Sequence, residues 1–585
     1  MKSMISETAR RKITHHLASL YDEDLSVALA AQIENLVDQY RQLIPEKNTE
    51  SCFTERDAIL ITYGDMVREA GIPPLDTLND FLSVYAKGIF SGVHILPFFP
   101  FSSDDGFSVI DFKHVNPALG KWNHLEPISH HFKLMVDLVV NHVSAKSRWF
   151  QGFLEGDPQF EEFFITVEDG EDLRKVVRPR ALPLLTEVET SAGQRKVWTT
   201  FSEDQVDLNY KNPKVLLAVL DVLLFYVQMG ADMIRLDAVA YVWKEIGTPC
   251  IHLPQAHDIV QLMRTLLDEV APWVILVTET NVPHEENISY FGDGTNEAQM
   301  VYNFSLPPLV LHSFISGNAI KISDWADHLK LPSGQVTFFN FLASHDGIGI
   351  TPARGILSDP EINEIVEYVK SIGGLISYKT NPEGFSSPYE LNINFFDALA
   401  GKDLKNEAAE TQTRRFLTSH AIMCSLRGVP GCYFHSLVGS RGWQEGVHAL
   451  GYARAINREK LDYKLLKRDL SDANHQRSRI YHELQKLITV RRQNRAFNPT
   501  SKQQILFLDP RVFTLVRTDH EDTQRILCLH NVSDEEVSLT VDLQNLGLKN
   551  GRQVKNLLTQ KEETPSACYL KIDLEAYNTA WFEII

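Results

Sequence analysis

The sequence has little cysteine: six residues in 585 (Cys52, Cys250, Cys424, Cys432, Cys528, Cys568), scattered and never paired as C-x-x-C. That spacing excludes a zinc ribbon and gives no disulfide framework, so reduced, mostly buried thiols are expected. Positive charge is also in deficit, since 57 Lys and Arg against 76 Asp and Glu leave −19. A general nucleic-acid binder carries the opposite balance, and the acidic surplus reads as solubility. No uncharged apolar run is long enough to span a bilayer. The opening MKSMISETARRKITHHL lacks the apolar centre of a signal peptide. A cytoplasmic chain with no membrane or nucleic-acid partner is the expectation.

Periodic apolar segments are abundant. Residues 1–50 read as a charged helical extension, because VALAAQIENLVDQYRQLI repeats its apolar positions with a helical period. Eight short apolar runs then alternate with helical stretches: AILITYG (58–64), VHILPFF (93–99), LMVDLVVNH (134–142), DMIRLD (232–237), WVILVTE (273–279), QMVYNF (299–304), VTFFNFLASHD (336–346) and VPGCYF (429–434). Continuous apolar strands between helices describe a parallel sheet covered on both faces, and eight of them predict a closed (β/α)8 TIM barrel, an α/β fold. Two intervals are too long for one helix and predict inserted subdomains at about 143–210 and 347–428, on the C-terminal face. After residue 495 the short strands QQILFLD, VFTLVRT, RILCLHN and EVSLTVDL predict a C-terminal antiparallel β domain over 496–585, leaving 51–495 as the barrel.

Several runs end in polar side chains where a purely structural strand would stop. The third ends in Asp137, Asn141 and His142, the fourth carries Arg235 and Asp237, the fifth ends in Glu279, and the seventh in His345 and Asp346. One strand-end Asp can cap the next helix, and one His can be a satisfied core residue. Four successive ends converging on a barrel axis suit a shared pocket better. Retaining glycoside transfer needs one carboxylate as nucleophile and a second carboxyl as acid and base. Arg235, two residues from Asp237 on the same strand face, is expected to keep that nucleophile ionised, while Glu279 near other carboxylates keeps its proton.

DLVVNH (137–142), GADMIRLD (230–237), VTET (277–280) and FLASHD (341–346) resemble, in order, the four signature regions of the α-amylase superfamily, glycoside hydrolase family 13. The resemblance implies that Asp237 is the nucleophile, Glu279 the acid/base and Asp346 the transition-state stabiliser, with Arg235, His142 and His345 in the donor subsite. GVHILPFFPFSSDDGFSVIDF (92–112), RPRALP (178–183) and AINR (455–458) extend the likeness to the sucrose phosphorylase subfamily. By it Asp104 grips the far sugar hydroxyls with Arg458 as its partner, Phe107 stacks as a platform, Tyr241 lines the site and Arg180 contacts phosphate or acceptor.

Three departures bring the chain nearer to the glucosylglycerate phosphorylase group: Asn281 stands where sucrose phosphorylases carry histidine, Glu390 in SPYELNIN where they carry glutamine, and the N-terminal extension is added. The implied activity is a retaining α-glucoside phosphorylase yielding α-glucose 1-phosphate. Asn281 and Glu390 then face a glycerate-like acceptor. Glucosylglycerol or sucrose phosphorolysis, plain α-glucoside hydrolysis and a non-catalytic amylase-like partner protein are the alternatives. No cofactor and no metal site are implied, phosphate being the co-substrate; Asn141 corresponds to a calcium ligand of many amylases, and these phosphorylases are similar without the ion. The implied partners are a small sugar and phosphate, and a homodimer is compatible. The Gly, Pro and Ser content of NPEGFSSP predicts a mobile acceptor loop over 378–394.

Overall fold

The computed structural model describes residues 5–47, 53–180, 182–380, 386–401, 407–547, 553–566 and 568–584. Eight strands form its centre: β1 (Ile59–Thr62), β2 (Gly92–Ile95), β3 (Lys133–Val139), β4 (Ala231–Asp237), β5 (Ile275–Thr278), β6 (Met300–Tyr302), β7 (Thr337–Phe341) and β8 (Val429–Tyr433). They pair in parallel and in chain order, and β8 closes on β1 through Ile59 opposite Gly431. Side chains on both faces of these strands are almost all buried, inward against the barrel interior and outward against helices. That double burial is why each strand appears in the sequence as an uninterrupted apolar run. The fold is the expected (β/α)8 barrel.

Register decides which side chains meet. Asp137 of β3 lies opposite Arg235 of β4, Val139 opposite Asp237, and Val277 of β5 flanks Arg235 from the other side. Parallel partners at one level share a face, so Asp137, Arg235 and Asp237 project the same way.

The two long intervals lie after β3 and β7. The first holds the strand His142–Ser144, the helix Arg148–Glu155 and a hairpin of Leu185–Thr190 with Gly193–Trp198. The second holds an antiparallel pair, Leu375–Thr380 with Ser386–Asn392, to whose open edge Ile348–Gly349 adds. The stretch expected as a loop over 378–394 is thus largely strand, because Glu390, Leu391 and Asn392 are buried and the first two are paired on both sides. Its residues 381–385 lie outside the described residues.

At the N-terminus α1 (Glu7–Leu20) and α2 (Glu23–Arg41) start at Ser6 and Asp22, whose side chains accept from the backbone of Ala9 and Leu25. Ile13, Leu17, Leu29, Ile33 and Val37 on their inner faces join the barrel's own core. At the other end a six-stranded antiparallel sheet and a two-stranded one (Val537–Asp542 with Tyr569–Leu574) enclose a separate apolar cluster. Cys250, Cys424, Cys432, Cys528 and Cys568 are buried, and Cys52 lies outside the described residues. Among the described residues no helix is long and apolar enough to cross a membrane.

Candidate active site

At the C-terminal ends of the strands a cavity gathers ten of the residues singled out by sequence. Asp237, Glu279 and Asp346 line it together with Asp104, Phe107, His142, Arg180, Tyr241, Asn281 and His345. Arg235 and Arg458 stand behind these walls, each 2% exposed. Glu390 faces an adjoining outer cavity, which shares Asp104, Arg180, Gln205, Tyr389 and Arg454 with the inner one.

The floor is a buried charge ladder. His94 contacts Asp137 through Nε2 at 2.7 Å, Arg235 Nη1 donates to Asp137 Oδ1 at 2.5 Å and to Asp237 Oδ1 at 2.7 Å, and Arg235 Nη2 lies 3.8 Å from Glu279 Oε2. Burial pushes the Asp237 carboxyl above its ordinary range, with Glu279 and Asp137 adding to the effect and Arg235 opposing it. Burial raises Glu279 too, again against Arg235. Arg235 lowers Asp237 as expected, but its guanidinium is shared with Asp137 and does not offset the loss of water, so the net shift is upward. The two raised carboxyls titrate as a unit. Asp237 accepts the direct guanidinium bond, whereas Glu279 has Ala238 N at 3.4 Å and the more distant Nη2. Of the two, Asp237 therefore has the better-supported negative charge.

Backbone conformation aims these groups. Ala238, just after Asp237, has φ 55°, and Asp104 and Asp105 have φ 51° and 47°. The left-handed region is costly for residues with a Cβ, and strain of this kind collects at functional sites. It turns both aspartates toward Arg458, whose Nη1 donates to Asp104 at 3.1 Å and Asp105 at 3.0 Å. Asp104 is held down at about 2: burial opposes ionisation, but Arg458, Arg180 and Arg454 outweigh it.

Asp346 likewise stays well below the carboxylate range despite burial, because Arg454 Nη1 at 2.6 Å and Arg458 Nη2 at 3.1 Å both reach its Oδ1. Burial keeps His345 and His142 neutral, at about 3 and about 4. Phe107 stacks on His345 with centroids 4.6 Å apart, so only part of its ring faces the cavity.

Glu390 is 2% exposed, with both oxygens on Arg454. Asn281 donates from Nδ2 to Tyr389 Oη at 3.3 Å. Arg180 is the loosest member, 3.5 Å from Asp104 and set over the Phe201 ring.

Sequence reasoning missed Arg454, Gln205, Tyr389, Asp105 and the His94–Asp137 support. For Arg454 a signal existed: ARAINR repeats arginine four residues on, and the short 3-10 helix Ala453–Asn457 brings both guanidiniums to Asp346. Asn141 accepts through Oδ1 from Lys244 Nζ at 2.5 Å, and that ammonium also reaches Asp207 at 2.6 Å. Among the described residues there is no metal-binding group of three or more His, Cys, Asp or Glu.

A barrel with carboxylates at the ends of its fourth, fifth and seventh strands belongs to one class of sugar-processing proteins, and comparison agrees. The family described as "Alpha amylase, catalytic domain" matches residues 84–348. Glucosylglycerate phosphorylases of Spirochaeta thermophila and Allomeiothermus silvanus are 51% and 50% identical, over 89% and 91% of this chain and 89% and 94% of theirs. In fold the chain is similar to the sucrose 6F-phosphate phosphorylase of Thermoanaerobacter thermosaccharolyticum, with TM-score 0.72 at 24% identity, covering 90% of this chain and 99% of that one. The chain belongs to glycoside hydrolase family 13, the α-amylase superfamily, and within it to the family of the glucosylglycerate phosphorylases.

Proposed function

We propose that the protein catalyses the reversible phosphorolysis of 2-O-α-glucosylglycerate to α-glucose 1-phosphate and glycerate, with retention by double displacement. One observation carries the chemistry: Asp237 and Glu279 bracket a single buried guanidinium at the floor of one cavity. That arrangement suits the close carboxyl spacing of retaining enzymes. Asp237 attacks the anomeric carbon while Glu279 passes its proton to the departing glycerate oxygen. Phosphate then displaces Asp237 from the same face the glycerate left, and two inversions give retention.

The ionised Asp346, in the wall of the same cavity, stabilises the oxocarbenium-like transition state. Asp104 with its partner Arg458, neutral His142 and His345, Arg235 and the exposed part of Phe107 hold the glucosyl unit. Arg180, Tyr241, Asn281 and Glu390 face the acceptor. The substrates are a small sugar and phosphate, and the steps as written use no cofactor. The choice of glycerate over glycerol or fructose rests on the names of the relatives and on Asn281 and Glu390.

The test is phosphate release from α-glucose 1-phosphate with glycerate, glycerol or fructose as acceptor. Glycerate should give the highest kcat/KM. Preference for fructose would sink the acceptor assignment, and no release with any acceptor would sink phosphorolysis.

A further inference from the structure

We propose that Arg454 receives the anionic part of the acceptor, phosphate in one direction and the glycerate carboxylate in the other, and that Glu390 holds it in place for that task. This rests on the phosphorolytic reading above and assigns the acceptor's charge to one residue.

Three guanidiniums lie near the route of the acceptor. Arg458 is buried, with donors occupied by the His345 carbonyl, Asp104, Asp105 and Asp346, and it lines neither cavity. Arg180 reaches both cavities but is held loosely, by a 3.5 Å contact to Asp104 and a position over the Phe201 ring. Arg454 lines both cavities. Its Nη1 reaches the inner carboxylate, Asp346, at 2.6 Å. Its Nε and Nη2 donate side-on to the outer one, Glu390, at 3.0 and 2.6 Å. A guanidinium has five N–H bonds in a fixed fork, so two remain unassigned after those three. They stand at the border between the cavity of Asp237 and Glu279 and the one through which an acceptor enters. The attacking oxygen has to cross that border.

The two acids have different effects on Arg454. Asp346 ties it to the reaction centre, and the paired oxygens of Glu390 fix the plane of the guanidinium. Remove the second hold and the head group can turn wholly onto Asp346, withdrawing its remaining donors from the acceptor. The cavity also becomes less negative at the right moment, because Asp237 loses its charge when it is esterified. An anion then meets a fixed cation beside a neutral ester. The bond from C1 to Asp237 breaks as the bond from the acceptor oxygen to C1 forms. With hydrogen phosphate the attacking oxygen is already anionic; with glycerate the hydroxyl proton passes to Glu279. In both cases Arg454 holds the oxygens that do not react.

The test uses α-glucosyl fluoride as donor, so that the departing group is not itself an acceptor, and measures product ratios from mixed acceptors. Ratios cancel any general loss of rate. In Arg454→Gln both glycerate over glycerol and phosphate over water should fall about tenfold or more, the effect of losing one charge-assisted hydrogen bond. Arg454→Lys and Glu390→Gln should each give part of that loss while retaining a folded site, should the glutamine variant fail to fold. Unchanged ratios with a lower total rate would overturn the proposal and leave Arg454 only a support for Asp346. If the unsubstituted enzyme makes neither glucose 1-phosphate nor a glycerate glucoside, the phosphorolytic reading fails first, before any variant is compared.

Discussion

Asp237 and Glu279 share one buried guanidinium, and in the proposed mechanism their two ionisations set the pH range of catalysis. Burial raises both groups, so Glu279 keeps its proton above the ordinary 4.5 and Asp237 takes one up above the ordinary 3.8. Activity with a glucoside needs Asp237 ionised and Glu279 protonated. It is lost as pH falls through the ionisation that protonates Asp237 and as pH rises through the one that empties Glu279. The profile should be a bell whose acid limb lies above that of a free carboxylate. Glu279→Gln should cut kcat on the glucoside by roughly 10²–10⁴. With α-glucosyl fluoride, which needs no proton on departure, the same variant should still glucosylate Asp237 and should lack the alkaline limb. Persistence of that limb in a pH–rate series would assign the proton to another group. At this scale the catalytic carboxylates are legible in sequence because each ends an apolar run. Arg454 is not, since its partners lie 108 residues away at Asp346 and 64 away at Glu390, inside a polar stretch that has no periodicity.

Elements differ in how far the chain announces them. A strand buried on both faces has to be apolar throughout, so all eight barrel strands are visible. The hairpin of Leu375–Thr380 and Ser386–Asn392 is half exposed and interrupted by a bulge between Ser377 and Tyr378, and its composition reads as a loop. Its position matters to the acceptor side because Ile348–Gly349 joins its edge and passes Asn281. A Cβ on Gly349 would lie 2.6 Å from Asn281 Oδ1 and 3.0 Å from its Cγ. The amide would have to leave, taking with it the 3.3 Å bond to Tyr389. Gly349→Ala should therefore raise KM for glycerate roughly fivefold, the value of about one hydrogen bond. Hydrolysis of α-glucosyl fluoride, which uses only the donor side and water, should keep its KM. An unchanged glycerate KM would remove Asn281 from the acceptor contacts.

Across the whole molecule, α1 and α2 support the same active site from the opposite side of the barrel wall. Ser6 and Arg41 bind Glu269 and His16 binds Asp258, both on the barrel helix Pro254–Val270 that leads into β5 and so to Glu279. Tyr21 Oη donates to the Tyr210 carbonyl at 2.8 Å, and Tyr210 Oη to the Val140 carbonyl at 2.7 Å, two residues before His142. The contacts made by Ser6, His16, Tyr21 and Arg41 are partly exposed, so the docking energy has to come from the apolar face: Leu17, Ile33 and Val37 are 0% exposed. Truncating one of them leaves a cavity against the barrel helices, and Leu17→Ala or Ile33→Ala should each cost about 2–5 kcal/mol. If the extension is one cooperative unit with the barrel, each variant lowers the midpoint of a single unfolding transition, and kcat at low temperature stays near that of the unsubstituted enzyme. If α1 and α2 are an independent appendage, the melt separates into two steps and loss of activity follows only the second. Calorimetry with activity measured along the same temperature ramp distinguishes the two, and the continuity of the extension's side chains with the barrel core favours the single transition.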